Sequence, residues 1–201
     1  MMLKTVLKND LYHCNHLALD EKAEIDIPSI SLRTGNTGNL SKYIQFMAFL
    51  DEDSNNMRTY LVRDNKTNEI VGFFSIKAGL MSLNEGTIND TDLETQKSIF
   101  STIPGVEIAN FAVNYSYIRK YPKRKGIGAL IFKEFILPII RTTAENIGVK
   151  IIYLFALPYK NLIEHYEKYG FNRLDEMSEK LLHARLKPEH NKSCIFMYYV
   201  L

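Results

Sequence analysis

The sequence is short of cysteine, lacks tryptophan and has no strong excess of either charge. Its two cysteines, Cys14 and Cys194, stand far apart in 201 residues, which argues against a disulfide scaffold and predicts reduced thiols in a cytoplasmic protein. A net charge of +2 does not by itself indicate a nucleic-acid or membrane partner. We also find no signal peptide at the amino terminus and no apolar run long enough to cross a bilayer.

The remaining composition is that of an ordinary globular protein, with 46% hydrophobic and 24% charged residues. The length allows one domain with a real core, so we predict a single domain over residues 1–201. His13, Cys14 and His16 stand close together, but their spacing matches no common zinc pattern. We interpret them as surface and packing residues and expect no metal.

Hydrophobic periodicity predicts a mixed α/β fold. Leu40, Tyr43, Ile44 and Met47 have helical spacing, whereas the polar stretch from Ser82 to Gly105 predicts a long loop with one helical turn near 92–100. The remaining elements predicted are strand character at 27–32, a hairpin of 58–64 with 69–81, a central strand at 107–114, a helix from Gly126 that Pro138 kinks or splits, a buried strand at 150–156, helices at 158–168 and 178–185, and a closing strand at 193–200.

The most informative stretch runs from Lys123 to Ala129, between the central strand and the long helix. Two glycines, Gly126 and Gly128, let the backbone approach a ligand without Cβ clashes. The start of a helix adds unpaired N–H groups and positive partial charge. This order of strand, basic glycine turn and helix therefore predicts a cradle for a phosphate-bearing cofactor.

Two common phosphate-binding patterns do not fit this turn. A nucleotide P-loop needs Lys followed by Ser or Thr after its last glycine, and Gly128 is followed by alanine. A dinucleotide fold needs a third glycine, which would fall at Ile131, and an acid ending the next strand, which 150–156 does not carry. A basic surface turn that only begins a helix stays open as the simpler interpretation.

The turn resembles the coenzyme A loop Q/R-x-x-G-x-G/A of the GNAT superfamily of N-acetyltransferases, with Lys123 in place of Gln or Arg. Farther on, Tyr166 to Phe171 resembles the family's Y-x-x-x-G-F pattern, in the same order and at a similar separation. The likeness covers roughly 58–171 and implies a mostly antiparallel sheet whose central parallel pair splays apart, flanked by helices. The run is also similar to GNAT enzymes of bacterial toxin–antitoxin pairs, which acetylate aminoacyl-tRNA, although the segments 113–123 and 82–105 differ from theirs.

The resemblance implies acetyl transfer from acetyl-CoA to an amine, without a metal. Tyr166 occupies the position of the general acid that protonates the departing thiolate, while Glu107 lies where some members place a base. Two alternatives stay open for the acid: Tyr166 only packs its ring in the core, or Tyr169 takes the acid role instead. For Glu107, the alternative is a side chain that is simply solvated. The resemblance assigns cofactor binding to Phe111, Ala112, Val113, Lys123, Arg124, Lys125, Gly126, Ile127, Gly128, Ala129 and, after the second strand, Asn161.

The acceptor stays open at this point. We expect a small-molecule or peptide amine, because the low net charge argues against tRNA even though Arg119 to Lys125 forms a basic cluster. The alternatives are a toxin-like enzyme acting on aminoacyl-tRNA and a non-catalytic acyl-CoA-binding module. A homodimer and an antitoxin partner stay open as well.

Overall fold

The computed structural model describes residues 7–17, 38–90, 95–186 and 193–201. Eight strands form within these ranges. They are β1 (Leu7–Lys8), β2 (Tyr12–His16), β3 (Arg58–Asp64), β4 (Ile70–Asp90), β5 (Thr95–Val113), β6 (Ile151–Ala156), β7 (Asn172–Arg173) and β8 (Ile195–Val200).

Five helical stretches accompany the strands in the described part of the chain. Two contain a π-helical turn: α1 runs through Gly38–Lys42, Tyr43–Met47 and Ala48–Asp53, and α3 runs through Ile127–Ile131, Phe132–Ile136 and Leu137–Asn146, the middle segment being the π turn in each. The others are α2 (Tyr115–Lys120), α4 (Lys160–Glu167) and α5 (Glu176–Arg185). Among the described residues, no helix combines the length and apolarity needed to span a membrane.

The strands are hydrogen-bonded in the order β1-β2-β3-β4-β5-β6-β8-β7. β5 and β6 run parallel, with Gly105 opposite Ile151 and Glu107 opposite Tyr153. Antiparallel pairing joins β1 to β2, β2 to β3, β3 to β4, β6 to β8 and β7 to β8. The mixed α/β fold with one central parallel pair is therefore confirmed; the splaying of that pair stays a prediction.

The chain divides into two compact units, and β4 and β5 each contribute to both. The first unit comprises 1–77 and 108–142, and the second comprises 78–107 and 143–201, as far as these ranges are described. The single domain over 1–201 therefore stays a prediction.

In the first unit, α1 packs on the sheet. Tyr43, Ile44 and Ala48 are buried with Leu61 and Phe73. The helical spacing is confirmed, but Met47 is 48% exposed rather than in the core. The π turn explains this difference: the Ala48 N–H bonds to the Tyr43 carbonyl five residues earlier, so Ala48 replaces Met47 at the buried position.

In the second unit, aromatic and aliphatic side chains share the core. Tyr153 stacks on Phe196 at 5.2 Å between ring centroids, and α5 contributes Leu182 to the same cluster. Asp175 caps α5 by accepting the N–H groups of Met177 and Ser178. The predicted helices and strands of 150–200 are confirmed with small shifts in their ends.

Two predictions of local structure are wrong. The segment 82–105 is not a loop, because β4 continues to Asp90 and β5 begins at Thr95. The helical turn near 92–100 is strand from Thr95, and 91–94 lies outside the described residues. Polar side chains hid these strands, since ladder hydrogen bonds involve only the backbone. Pro138 does not split α3, because the helix continues through it after the π turn, and a kink at Pro138 stays a prediction.

The amino-terminal region shows a hairpin that the sequence did not predict. β1 pairs with β2, and β2 then adds to the sheet beside β3. Tyr12 and Cys14 are buried, in the alternation expected of a strand with one core face. Cys14 is therefore a core residue, and the strand character expected at 27–32 lies outside the described residues.

Candidate functional site

The turn before α3 requires glycine at one position. Gly126 stands at the N-cap with φ 71°, in the left-handed region that favours glycine. The first intrahelical bond runs from the Leu130 N–H to the Gly126 carbonyl at 3.0 Å. The N–H groups of Ile127, Gly128 and Ala129 precede that bond and have no partner within the helix, which is the arrangement that binds phosphate oxygens.

The three basic residues of the turn have different environments. Lys123 and Lys125 are exposed, whereas the side chain of Arg124 is only 26% exposed. Arg124 forms an ion pair with Asp64 and a hydrogen bond to the Tyr117 hydroxyl. Its guanidinium carbon lies 4.9 Å from the ring centroid of Tyr121. The exposed cations of the turn are therefore its two lysines.

Asp64 is a buried carboxylate at the end of β3, and both of its oxygens are bonded. Oδ1 accepts the N–H groups of Lys66 at 2.8 Å and Thr67 at 3.1 Å, which closes the β3–β4 turn. Oδ2 accepts from Tyr117 and Arg124. Burial alone would raise the pKa of this carboxyl, but the two N–H groups and the guanidinium hold the pKa below its usual value.

A second group of hydrogen bonds also connects the β3–β4 turn to the segment that precedes Gly126. Glu69, also in the β3–β4 turn, accepts from Lys120 at 2.6 Å and from the Tyr121 hydroxyl at 2.8 Å. The hydrogen bond from Lys120 is the main reason why the pKa of Glu69 is lowered. Asn114 adds a third connection, because its side-chain amide donates to the Ile70 carbonyl at 2.8 Å. The segment leading into the turn is thus attached to the β3–β4 hairpin along its length.

The predicted acetyl-binding residues Phe111, Ala112 and Val113 end β5 in the same unit as the turn. Ala112 is buried in the core under α1, and Phe111 and Val113 are half-buried. A Cβ on Gly72 would come within 2.6 Å of the Ala112 carbonyl oxygen, so glycine permits the close approach of the two backbones. The release of their N–H groups for a thioester stays a prediction.

Tyr166 lies on α4 in the second unit, and its half-buried ring packs in an aromatic cluster. The ring meets Phe171 edge-on at 5.7 Å and Tyr169 at 6.3 Å. Gly170, at φ 93°, ends the helix, and the Phe171 N–H bonds back to the Tyr166 carbonyl at 3.1 Å. The Y-x-x-x-G-F pattern therefore builds a helix end that folds Phe171 onto Tyr166.

The hydroxyl of Tyr166 is protonated at neutral pH. Burial raises the pKa of Tyr166 above its ordinary value, and Tyr169 adds to the effect. His165 bonds to the Tyr169 hydroxyl instead, and burial lowers the pKa of that imidazole. A neutral phenol can donate a proton, so this environment is compatible with the acid role, which stays a prediction.

Glu107 belongs to the second unit and interacts with the hydroxyl of Tyr153, the residue opposite it on β6. Tyr153 is buried, and burial first, then the Glu107 carboxylate, raises the pKa of its phenol. A Cβ on Gly79 would lie 1.9 Å from the Tyr153 oxygen, so this hydroxyl occupies the space that glycine leaves. Glu107 is half-buried and has the Tyr153 hydroxyl as a partner, so it is not simply a solvated side chain at the end of a strand.

The remaining predicted residues can be placed briefly. Asn161 is exposed in the first turn of α4, and its contact with the cofactor stays a prediction. His13 bonds to Asn65 at 3.0 Å, while His16 lies 3.1 Å from Glu52. Over the described ranges, no group of His, Cys, Asp and Glu residues is arranged to hold a metal. The sequence analysis did not identify Asp64 or Tyr117 as residues of the site. The one indication in the sequence was an aspartate between a predicted strand and a polar turn.

No family model matches the sequence. Solved structures do match its fold. A tyrosine-to-phenylalanine mutant of the AtaT toxin superposes with a TM-score of 0.66 at 13% identity, covering 100% of this chain and 95% of that one. A tyrosine-to-phenylalanine mutant of KacT gives a TM-score of 0.64 at 13% identity over 95% of each chain. AtaT complexed with acetyl-methionyl-tRNAfMet gives 0.60 at 14% identity over 92% of this chain and 93% of that one. The resemblance to toxin-type GNAT proteins is thus confirmed at the level of the fold.

Proposed function

We propose that this chain is an acetyl-CoA-dependent N-acetyltransferase of the toxin type, and that it acetylates the amino group of an aminoacyl-tRNA. The observation that carries the proposal is the left-handed Gly126 turn at the start of α3, in a chain with the fold of AtaT and KacT. Related solved structures include AtaTR bound with acetyl-CoA, at a TM-score of 0.61 and 13% identity.

In this proposal the turn holds the pyrophosphate of acetyl-CoA. The N–H groups of Ile127, Gly128 and Ala129 donate to phosphate oxygens, and the exposed Lys123 and Lys125 add positive charge. Acetyl-CoA supplies the acetyl group as a thioester. Backbone N–H groups of Phe111 to Val113 donate to the thioester oxygen as it gains charge.

The transfer exchanges one bond for another. The acceptor nitrogen forms a bond to the carbonyl carbon, the carbon–sulfur bond breaks, and the sulfur leaves with its electron pair. Tyr166, whose phenol is protonated at neutral pH, donates a proton to that sulfur. Glu107 accepts the proton that the amine loses, directly or through water.

The choice of aminoacyl-tRNA reverses the preference for a small amine. Two members of the basic cluster are neutralised, since Lys120 pairs with Glu69 and Arg124 with Asp64. Arg119, Lys123 and Lys125 remain exposed. The structure of AtaT with acetyl-methionyl-tRNAfMet is the observation that favours tRNA. A small-molecule amine is the second candidate, because the net charge of the chain is only +2.

The decisive experiment offers the purified chain radiolabelled acetyl-CoA with a panel of charged tRNAs, beginning with methionyl initiator tRNA. We expect label in the charged tRNA and none in the uncharged tRNA, together with growth arrest on expression. Label only on small amines such as methionine amide would contradict the tRNA acceptor but keep the transferase. Tight CoA binding without thiol release from any acceptor would instead identify a binding module.

A further inference from the structure

Arg124 stands in the middle of the phosphate-binding turn, yet its side chain is directed into the protein. Its partners are the buried Asp64 carboxylate, the Tyr117 hydroxyl and three aromatic rings. Ring centroids of Tyr121, Tyr117 and Tyr12 lie 4.9, 5.5 and 5.6 Å from the guanidinium carbon. A planar guanidinium surrounded in this way has exchanged water for a carboxylate and aromatic faces.

Asp64 connects this arginine to a different part of the first unit. Its Oδ1 closes the β3–β4 turn through the N–H groups of Lys66 and Thr67, and its Oδ2 receives Arg124 and Tyr117. The side chain is fully buried, so its charge is matched by partners rather than by solvent. One carboxylate thus joins the β3–β4 turn, α2 and the turn of residues 123–129. We call this last turn the cofactor turn, after the role proposed for it.

We propose that Asp64, Tyr117 and Arg124 form a positioning anchor that sets the conformation of the cofactor turn, and that Arg124 is not a phosphate ligand. The inference rests on the proposed function for its cofactor, but its geometry does not. Arg124 also donates its backbone N–H to the Tyr121 carbonyl at 2.9 Å, so both its main chain and its side chain are engaged two residues before Gly126.

The anchor and the direct-ligand interpretation predict opposite changes of CoA affinity in Asp64→Asn. Asp64→Asn removes a negative charge near a phosphate site, so electrostatics alone would leave CoA affinity unchanged or strengthen it. If Arg124 contacted phosphate, releasing it from Asp64 would also help. The anchor predicts the opposite, since a loosened turn presents its N–H groups in fewer productive conformations.

The first measurement needs no cofactor. Amide hydrogen exchange at Arg124 and Leu130 is compared in the native chain, in Asp64→Asn and in Asp53→Asn, a control that changes an exposed aspartate at the end of α1. We expect about tenfold faster exchange at both amides in Asp64→Asn only, from the loss of a charge-assisted hydrogen bond. Unchanged exchange would overturn the anchor. Tyr117→Phe, which removes a single hydroxyl, serves if Asp64→Asn does not fold.

The second measurement titrates the same variants with CoA at fixed ionic strength. We expect affinity to fall about tenfold in Asp64→Asn and in Arg124→Lys, with the double variant no worse than either, because both break one anchor. Faster exchange with wild-type or stronger affinity would overturn the link between anchor and cofactor. If the native chain binds no CoA, the proposed function fails, and the exchange experiment still decides the anchor.

Discussion

The cofactor turn in the first unit and the Tyr166 cluster in the second are stabilised by opposite kinds of interaction. The segment leading to Gly126 is attached by ion pairs and charge-assisted hydrogen bonds, through Asp64 to Arg124 and through Glu69 to Lys120. Tyr166 is surrounded by rings, with Phe171 at 5.7 Å and Tyr169 at 6.3 Å between centroids. Ion pairs are the main attachment of one region, and contacts between rings are the main attachment of the other.

The difference matches what each region would have to do. A turn that receives phosphate must keep several N–H groups in fixed positions, and directional bonds do this well. A phenol that gives up a proton must be protonated when the sulfur leaves, and Tyr166 meets this condition at neutral pH, where its ordinary pKa of about 10 already keeps the proton and burial raises the pKa further. The predictions below test this contrast.

The largest effect should come from Tyr166→Phe. The ring and its packing remain, while the proton that the hydroxyl would give to the leaving sulfur is lost. We expect kcat near pH 7 to fall about a hundredfold to ten-thousandfold, with CoA affinity and melting temperature nearly unchanged. Steady-state kinetics with thiol detection, together with thermal melts, would measure both.

The matched control is Tyr169→Phe, which removes a hydroxyl from the same cluster together with its bond to His165. We expect turnover within a few-fold of the native chain. A large loss of kcat in this control with little loss in Tyr166→Phe would move the acid role to Tyr169. Lowered stability with normal turnover in Tyr166→Phe would make Tyr166 a packing residue.

Features that depend on one or two neighbouring residues could be predicted from the sequence. Gly126 and Gly170 were both singled out by motifs, and both adopt positive φ, because the need for glycine is decided by the local backbone. The buried strand β6 could likewise be predicted, because an unbroken short apolar run is typical of a strand that is covered on both faces.

Features that depend on distant partners could not be predicted. Asp64 and Arg124 are 60 residues apart, so nothing near either one indicates the other. The polar ends of β4 and β5 lack hydrophobic alternation, so their backbone pairing left no signal. Met47 has the spacing of a core residue, and only the π turn, formed in the folded helix, places it in solvent.

The second prediction concerns the cofactor turn itself. Gly126→Asp puts a side chain on a left-handed residue and a negative charge beside the proposed pyrophosphate site. We expect CoA affinity to fall at least about tenfold, since strain of this kind costs about 1–3 kcal/mol before repulsion is counted. Calorimetric titration with CoA would measure the loss.

Gly148→Asp is the control for this change, because a Cβ there also meets open space but φ is not positive. We expect it to bind CoA like the native chain. Native affinity in Gly126→Asp would show that the cradle lies elsewhere, whereas an equal loss in both variants would indicate a general charge effect rather than a site.

The smallest effect should appear as a pH asymmetry between the two regions. The pKa of Asp64 is lowered in the folded chain, so below about 3.9, the ordinary value, the unfolded chain binds more protons and stability falls with pH. Tyr169 has a pKa raised to about 12 by burial, so above about pH 10 the unfolded chain loses its proton first and stability falls as pH rises.

Thermal unfolding that is monitored by hydrogen exchange measures this asymmetry. The cofactor turn should open first in acid and the Tyr166 cluster should open first in alkali, each with a shift of a few degrees in melting temperature. Asp64→Asn should reduce the acid difference, with the lowered pKa of Glu69 accounting for what remains, and should leave the alkaline difference unchanged. Equal opening of both regions at both extremes would mean that charge and packing do not divide between them as the structure indicates.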